Sequence, residues 1–303
     1  RRREIMFLHS WVLHPSGHPV LPPGDAPGAG VRVAVVIPHY DDPRMEQALA
    51  SVAAQTRPPD EVIVVDDGSP APPEDRPGVR LLRTPRPRSG PAVGRNLGVA
   101  AAASEMIAFL DADDVFLPDK LARQIGAMEA AGAAWSYTDC YYVGSRGRFR
   151  RPNSWFHGWP GGLPSGSAIR AAHLAGHNFV TMSSVVVRRD SCPAFDPALP
   201  VSEDWDAFVR LAEAQDGLAV NEPLHLYRLN PAGGRHAAGL DRYVEVNMAI
   251  LRGAHWRAGF SADSPAFRRA AARIRRRALI QRLNAGRSAP WRALLRLYCG
   301  SWL

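Results

Sequence analysis

Lysine is almost missing from this chain. Lys120 is its one lysine, and arginine supplies the rest of the 37 basic side chains in 303 residues. Cysteine is scarce and scattered. Cys140, Cys192 and Cys299 form no C-x-x-C pair, which argues against a zinc or dithiol redox pattern. A disulfide framework is not expected in a chain of this size, and the odd count fits a reducing cytoplasm. No run of 18 apolar residues occurs, so no membrane-spanning helix is expected. A glycine-rich phosphate loop is also missing. The first β-branched run is followed by Pro38-His39-Tyr40-Asp41-Asp42-Pro43, which is neither G-x-G-x-x-G nor G-x-x-x-x-G-K and argues against a dinucleotide oxidoreductase or a P-loop enzyme.

What is present is uneven. From Leu240 to Leu303 there are thirteen arginines against Asp241, Glu245 and Asp263, a net +10 that leaves −2 for the first 239 residues of a chain whose total is +8. Positive charge confined to the tail speaks against a nucleic-acid-binding protein. The start, Arg1 to Leu8, is basic and then briefly apolar, but His9 interrupts it and no small-residue cleavage site follows; it is not read as a signal peptide. The Pro/Gly-rich stretch Pro19 to Gly30 reads as the end of an arm or linker, with Trp11 to Leu13 able to form a short strand or docking segment.

From Val31 the pattern sharpens. Val31 to Ile37 is a continuous β-branched run before Pro38, as expected of a strand buried on both faces. Strands are expected again at Glu61 to Val65, Val79 to Arg83 and Met106 to Leu110. Helical spacing covers Met45 to Gln55, Ala92 to Ala103 and Leu117 to Ala131, with Pro118 suited to a first turn. Such alternation predicts an α/β fold, a Rossmann-like, mostly parallel sheet with helices on both faces. Further on, Ala134 to Cys140, Phe179 to Arg188 and Ala219 to Leu229 read as strands and Glu203 to Ala214 as a helix. Asn153 to Ser167 reads as a Gly/Pro/aromatic loop able to act as a lid or acceptor loop.

Open sheets of this kind bind ligands beyond the carboxyl ends of their strands. The polar clusters stand there: His39 to Asp42, Asp66-Asp67, and Asp111-Ala112-Asp113-Asp114. Carboxylates this dense repel one another unless a cation intervenes, and Mg²⁺ or Mn²⁺, with oxygen ligands, suits them. Helix capping before Leu117 is the alternative for the isolated tetrad. Asp66 and Asp67 can accept from a base imide or a ribose hydroxyl, or simply build the Asp-Gly-Ser turn. Tyr40 can stack on a nucleobase. Arg95 can pair with a phosphate at a helix N-terminus or with the acidic cluster. Glu203 or Asp204 can take a proton from a hydroxyl, or serve only as first-turn acids behind Ser202.

Taken in order, Val35 to Tyr40, Ser51 to Thr56, Val64 to Ser69, Gly94 to Gly98, Phe109 to Asp114, Glu203-Asp204 and Tyr227-Arg228 resemble the family 2 glycosyltransferases of GT-A fold. The resemblance runs from about Val31 to Arg228. It implies an inverting transferase that takes a nucleoside-diphosphate sugar (UDP favoured, dTDP or GDP as alternatives) with Mn²⁺ or Mg²⁺ and a DXD motif. By position it puts Pro38 and Tyr40 in the nucleoside pocket, Asp67 on the base, Arg95 near the phosphates, Asp111 and Asp113 on the ribose, sugar and metal side, Asp114 on the metal, and Asp204, beside Glu203, as general base. The acceptor it implies is a glycan, a lipid-linked species, a peptide or a small molecule.

Two departures stand out. Asp41 replaces the Asn usual after the Tyr. The His usual after Tyr-Arg is replaced by Leu229 and Asn230, which leaves His236 as the candidate for that role. The expected organisation is an arm (1–30), a GT-A domain (31–239, with nucleotide-binding half 31–133 and acceptor half 134–239), and a basic helical extension (240–303). In that extension Phe267, Ala270, Ala271, Ile274, Ala278 and Leu279 share one helical face among arginines, a pattern Trp291, Leu294, Leu295 and Tyr298 continue. That pattern fits peripheral contact with an anionic membrane, at its cytoplasmic face, or packing on the domain. Two other functions are carried alongside: a nucleotidyltransferase, which would want a Gly-rich basic loop after the first strand, and a carbohydrate- or nucleotide-binding module without catalysis.

Overall fold

The computed structural model describes residues 30–144, 149–152, 159, 162–229 and 239–285. The expectations for Trp11 to Leu13, most of the 153–167 loop, His236 and the Trp291 to Tyr298 segment lie outside them. The chain divides after Val31, and the fold below is that of the second unit, Arg32–Leu303.

Among the described residues, nine strands form one sheet: β1 (Val33–His39), β2 (Glu61–Asp66), β3 (Arg80–Arg83), β4 (Met106–Phe109), β5 (Val115–Phe116), β6 (Trp135–Val143), β7 (Phe149–Pro152), β8 (Val186–Arg188) and β9 (Leu218–Arg228). The order is β3-β2-β1-β4-β8-β6-β9-β5, with β7 paired to β6. The first four strands are parallel. β8 then runs antiparallel to both β4 and β6, and β6 pairs in parallel with β9. The helices are α1 (Met45–Ala53), α2 (Pro91–Ala101), α3 (Lys120–Ala131), α4 (Ser167–Leu174), α5 (Glu203–Ala214), α6 (Leu240–Arg257) and α7 (Pro265–Ala285).

The parallel half follows the continuous apolar runs. Val33 to Ile37, Ile63 to Val65 and Met106 to Leu110 are all buried, as strands covered on both faces must be. β1 does not stop at Pro38, however: it pairs through Pro38 with Val65 and through His39 with Asp66. Along β1, Val36 offers its carbonyl to Leu110 N–H at 3.1 Å while His39 offers its own to Asp67 N–H at 2.8 Å on the other side. Pro38 is in phase with Val36, so its missing N–H falls beyond the end of β4 and breaks no ladder bond.

Two more expectations are corrected, and of the two readings of the tail the packing one is met. The helix expected over Leu117 to Ala131 starts later: Leu117 N–H donates to Leu224 O at 2.9 Å, and α3 begins only at Lys120. Phe179 to Arg188 is not one strand: a 3-10 turn at Met182–Ser184 interrupts it before β8. In the tail, Phe267, Ala270, Ala271 and Ile274 are buried against α6, Val201, and Trp205 and Val209 of α5, and Ala278 is buried as well, so the apolar face of α7 is already covered by protein. Leu279 does not join it and is 56% exposed. No described helix is long and apolar enough to cross a membrane.

Candidate active site

The sheet order sets β2, β1 and β4 side by side, so the acidic strand ends open on one edge. α2 lies tightly over β1: a Cβ on Gly98 would stand 2.3 Å from Cγ1 of Val36. That close approach carries Arg95, one turn earlier, into the interior. There its Nη1 donates to Glu203 Oε1 at 2.7 Å and its Nη2 to Asp111 Oδ1 at 2.9 Å. The guanidinium also lies 5.5 Å from the Phe195 ring centroid. Arg95 thereby ties the end of β4 to the first residue of α5. Asp204 adds to the negative field on Arg95. Three acids in the first turn favour the α5 N-terminus. Ser202 sits just before it with φ 60° and makes no side-chain cap; its hydroxyl accepts from Asn247 Nδ2 at 3.1 Å instead.

The Asp111 to Asp114 tetrad splits into two kinds of carboxylate. Asp114 N–H donates to Asp111 O at 2.9 Å, closing a turn. The Asp114 side chain is buried, and its oxygens accept from the Ser183 hydroxyl at 2.6 Å and from Arg228 N–H at 2.9 Å. Ser183 Oγ in turn accepts from Asp111 N–H at 3.0 Å. Burial, then Asp113 and Asp111, pushes the Asp114 carboxyl well above the usual range. Asp114, expected on the metal, is buried with both of its oxygens accepting from protein donors. Asp111 and Asp113 keep about a quarter of their side chains exposed. Burial first and Asp111 second push Asp113 up to about 6.

Two basic residues that sequence reasoning did not place complete this edge. Arg44 Nε donates to Asp42 at 2.8 Å, and its Nη2 stands 3.6 Å from Asp113 Oδ2. Arg228, previously only part of a motif, donates from Nη1 to Asp113 O at 3.0 Å and from Nη2 to Gln47. Ser183 and Gln47 were missed as well. A serine inside an apolar run and a glutamine on a helix have no spacing that announces a partner.

On the β1–β2 side, Pro38 is half-buried inside β1. The Tyr40 hydroxyl accepts from Arg88 Nε at 2.9 Å. Asp67, expected on a base, already accepts from Thr84 Oγ1 at 2.7 Å and from the N–H groups of Ser89 and Gly90 at 2.8 Å each. Asp41 has φ 46°, a left-handed conformation in which Asn and Asp are the favoured non-glycine residues. Its N–H donates to Ser69 Oγ at 2.8 Å.

A sheet with this strand order, its acidic strand ends gathered on one edge, is a GT-A type domain. Solved structures of S. aureus TarS share the fold: residues 1–349 of TarS, solved with UDP-GlcNAc, superpose with a TM-score of 0.55 at 17% identity, over 78% of this chain and 69% of that one. The description Glycosyl transferase family 2 matches residues 34–190, and the chain belongs to that family. The succinoglycan biosynthesis protein ExoO of Rhizobium meliloti is 33% identical over 229 residues, 68% of this chain and 64% of ExoO. ExoW of the same organism is 37% identical over 129 residues, 38% of each chain. An uncharacterized glycosyltransferase of Rickettsia conorii is 32% identical over 124 residues, and the match spans 20% of its length.

Proposed function

We propose that this chain is an inverting glycosyltransferase that moves a sugar from a nucleoside-diphosphate donor to a hydroxyl acceptor, with Asp204 as general base. One observation carries the reading: Arg95 holds the donor-side Asp111 and the α5 acid Glu203 on a single guanidinium. Glu203 is engaged by that ion pair; Asp204, the next residue and half-buried, is the acid this reading assigns to the acceptor. The Asp204 carboxylate takes the acceptor's hydroxyl proton. The freed oxygen pair forms the bond to the anomeric carbon from the face opposite the diphosphate. The bond from that carbon to the phosphate oxygen breaks, and its electron pair leaves with the nucleoside diphosphate, so the configuration inverts. UDP favours itself as the base carrier because TarS has been solved with UDP and with UDP-GlcNAc.

The residues fit a divalent cation, Mn²⁺ or Mg²⁺. Asp111 and Asp113 each keep about a quarter of the side chain exposed at the strand end, carboxylate oxygens of the kind such ions take. Asp111 and Asp113 would hold the ion; Asp114 would support them from behind. Among the described residues no three His, Cys, Asp or Glu side chains group into a metal site, and donor phosphate oxygens would share the coordination. Bound there, the ion supplies charge stabilisation to the departing diphosphate.

The arginine face of α7 is proposed to meet an anionic bilayer. Arg268, Arg269, Arg275 and Arg276 are exposed on the side opposite the buried Phe267, Ala270 and Ile274, and no acid lies on that helix.

The test is purified protein with Mn²⁺ and a panel of UDP-, GDP- and dTDP-sugars, read by thermal shift and slow donor hydrolysis. A metal-dependent shift with one donor class supports the reading; no response to any of them defeats it. Asp113→Asn is expected to abolish metal-dependent donor binding. Asp204→Asn is expected to spare binding and remove transfer; full activity in that variant defeats the base assignment.

A further inference from the structure

Arg88 is held in a conformation that arginine seldom adopts. Its φ is 57°, in the left-handed region where side chains other than Asn and Asp are uncommon. The surrounding bonds show what enforces it. Arg88 N–H donates to Asp67 O at 2.8 Å, and the next two N–H groups, of Ser89 and Gly90, donate to the Asp67 carboxylate. Pro87 lies directly on Gly68, where φ is 81° and a Cβ would come within 2.6 Å of the proline Cβ. The 84–90 loop is therefore pinned flat against the end of β2 by Asp67 and Gly68 together.

The result is that the Arg88 side chain reaches back to the end of β1. Its Nε donates to the Tyr40 hydroxyl at 2.9 Å, and its guanidinium carbon stands 5.0 Å from the Tyr40 ring centroid. Among the described residues no carboxylate pairs with Arg88, although the chain places Asp41, Asp42 and Asp67 on these same strand ends. A planar cation has been fixed, at the expense of backbone strain, beside a half-buried tyrosine rather than in an ion pair. Strain retained at a defined place points to a function of that place.

We infer that Arg88 is a nucleobase-recognition residue: its guanidinium, laid over the Tyr40 ring, presents its outer face to the base of a nucleoside diphosphate. The inference rests on the donor reading above. A guanidinium plane stacks on a base and offers N–H donors to base carbonyl oxygens. Tyr40 backs that plane from the other side and holds it through its hydroxyl. On this view Asp67 acts on the base partly through the loop: its carboxylate sets the position of Arg88.

The experiment measures binding of UDP, UMP and inorganic pyrophosphate, each with Mn²⁺, by calorimetry on the full chain, wild type against Arg88→Gly and Arg88→Lys. Glycine suits a positive φ, so Arg88→Gly keeps the loop while removing the side chain. The expected result is a loss of about five- to tenfold for UDP and UMP alike, with pyrophosphate unchanged and thermal stability retained. Arg88→Lys keeps the charge but not the plane, and is expected to recover less than half of the loss. Binding within twofold of wild type in Arg88→Gly overturns the inference. So does a loss that grows from UMP to UDP, which would make Arg88 a phosphate ligand, and so does full rescue by lysine. Wild-type protein that binds neither UDP, GDP nor dTDP is a different failure: it overturns the donor reading first.

Discussion

Arg95 and Glu203 form a buried ion pair at 2.7 Å that joins α2 to the start of α5 across 108 residues of chain. Removing one partner of such a pair leaves the other charged and unsolvated. Arg95→Met strands both Glu203 and Asp111, and a loss of about 3–5 kcal/mol in unfolding free energy is expected from urea titration. Glu203→Gln keeps an acceptor for Arg95 Nη1 and is expected to cost less. Equal losses in the two variants would show that the pair contributes through shape rather than charge.

Gly98 is the reason Arg95 reaches that position. Added Cβ atoms this close to a β-strand force the helix outward, since cores resist overpacking. Gly98→Ala would set a methyl 2.3 Å from Val36 Cγ1. A destabilisation of about 1–3 kcal/mol is expected, measured by denaturant unfolding, together with weaker donor binding because Arg95 moves with α2. Unchanged stability would mean that α2 shifts freely on β1.

These two residues also show how far the sequence could be read. Val33 to Ile37, Ile63 to Val65 and Met106 to Leu110 are legible because a parallel strand covered on both faces needs an unbroken apolar run. The strand-end rule then gathers Tyr40, Asp67, Asp111 and Asp113 on one edge. The roles within that edge are set by contacts between distant segments. Asp114 and Asp113 are neighbours in sequence, yet only the Ser183 turn, 69 residues later, decides that Asp114 faces inward. The same serine breaks the expected Phe179 to Arg188 strand, because its hydroxyl must meet both Asp111 N–H and Asp114. Arg44 and Arg88 lie in loops, where no periodicity assigns a side chain a direction. The amphipathic pattern of α7 was legible, but not its partner: α6 covers that face.

Lys120 gives a pH test independent of the site. The chain's one lysine is fully buried, its Nζ donating to Gln124 Oε1 at 2.7 Å and lying 4.3 Å from the Phe116 ring centroid. Gln124 is itself held by Ser136 Oγ and Ser184 O. The nearby His225, also fully buried, is held neutral by burial and then by Lys120. Burial lowers the Lys120 ammonium from an ordinary 10.5 to about 7. Between those values the unfolded chain binds this proton and the folded chain does not, so this group makes stability rise with pH from about 7 upward. Lys120→Met removes the titration. Urea unfolding at intervals from pH 7 to pH 9.5 is expected to show a shallower rise in the variant; parallel curves would place the Lys120 proton outside this window.

The last prediction concerns α7. Its apolar face is buried on α6, so it cannot lie in a bilayer by that face, and any membrane contact must come from what remains outward. That is the set Arg268, Arg269, Arg275 and Arg276, with Leu279 at 56% exposure, and at the α6–α7 turn Trp256 at 79% and Phe260 at 46%. Arginines near an anionic surface contribute about 1 kcal/mol each, and salt screens that attraction. Flotation with vesicles containing phosphatidylserine is therefore expected to carry the wild type at low salt, less of it at about 0.5 M salt, and little of the fourfold Arg→Gln variant. Trp256→Ser is expected to lower binding without changing its salt dependence, because an interfacial ring contributes by burial rather than charge. Equal flotation of wild type and the fourfold variant would mean that the arginine face of α7 does not meet the bilayer.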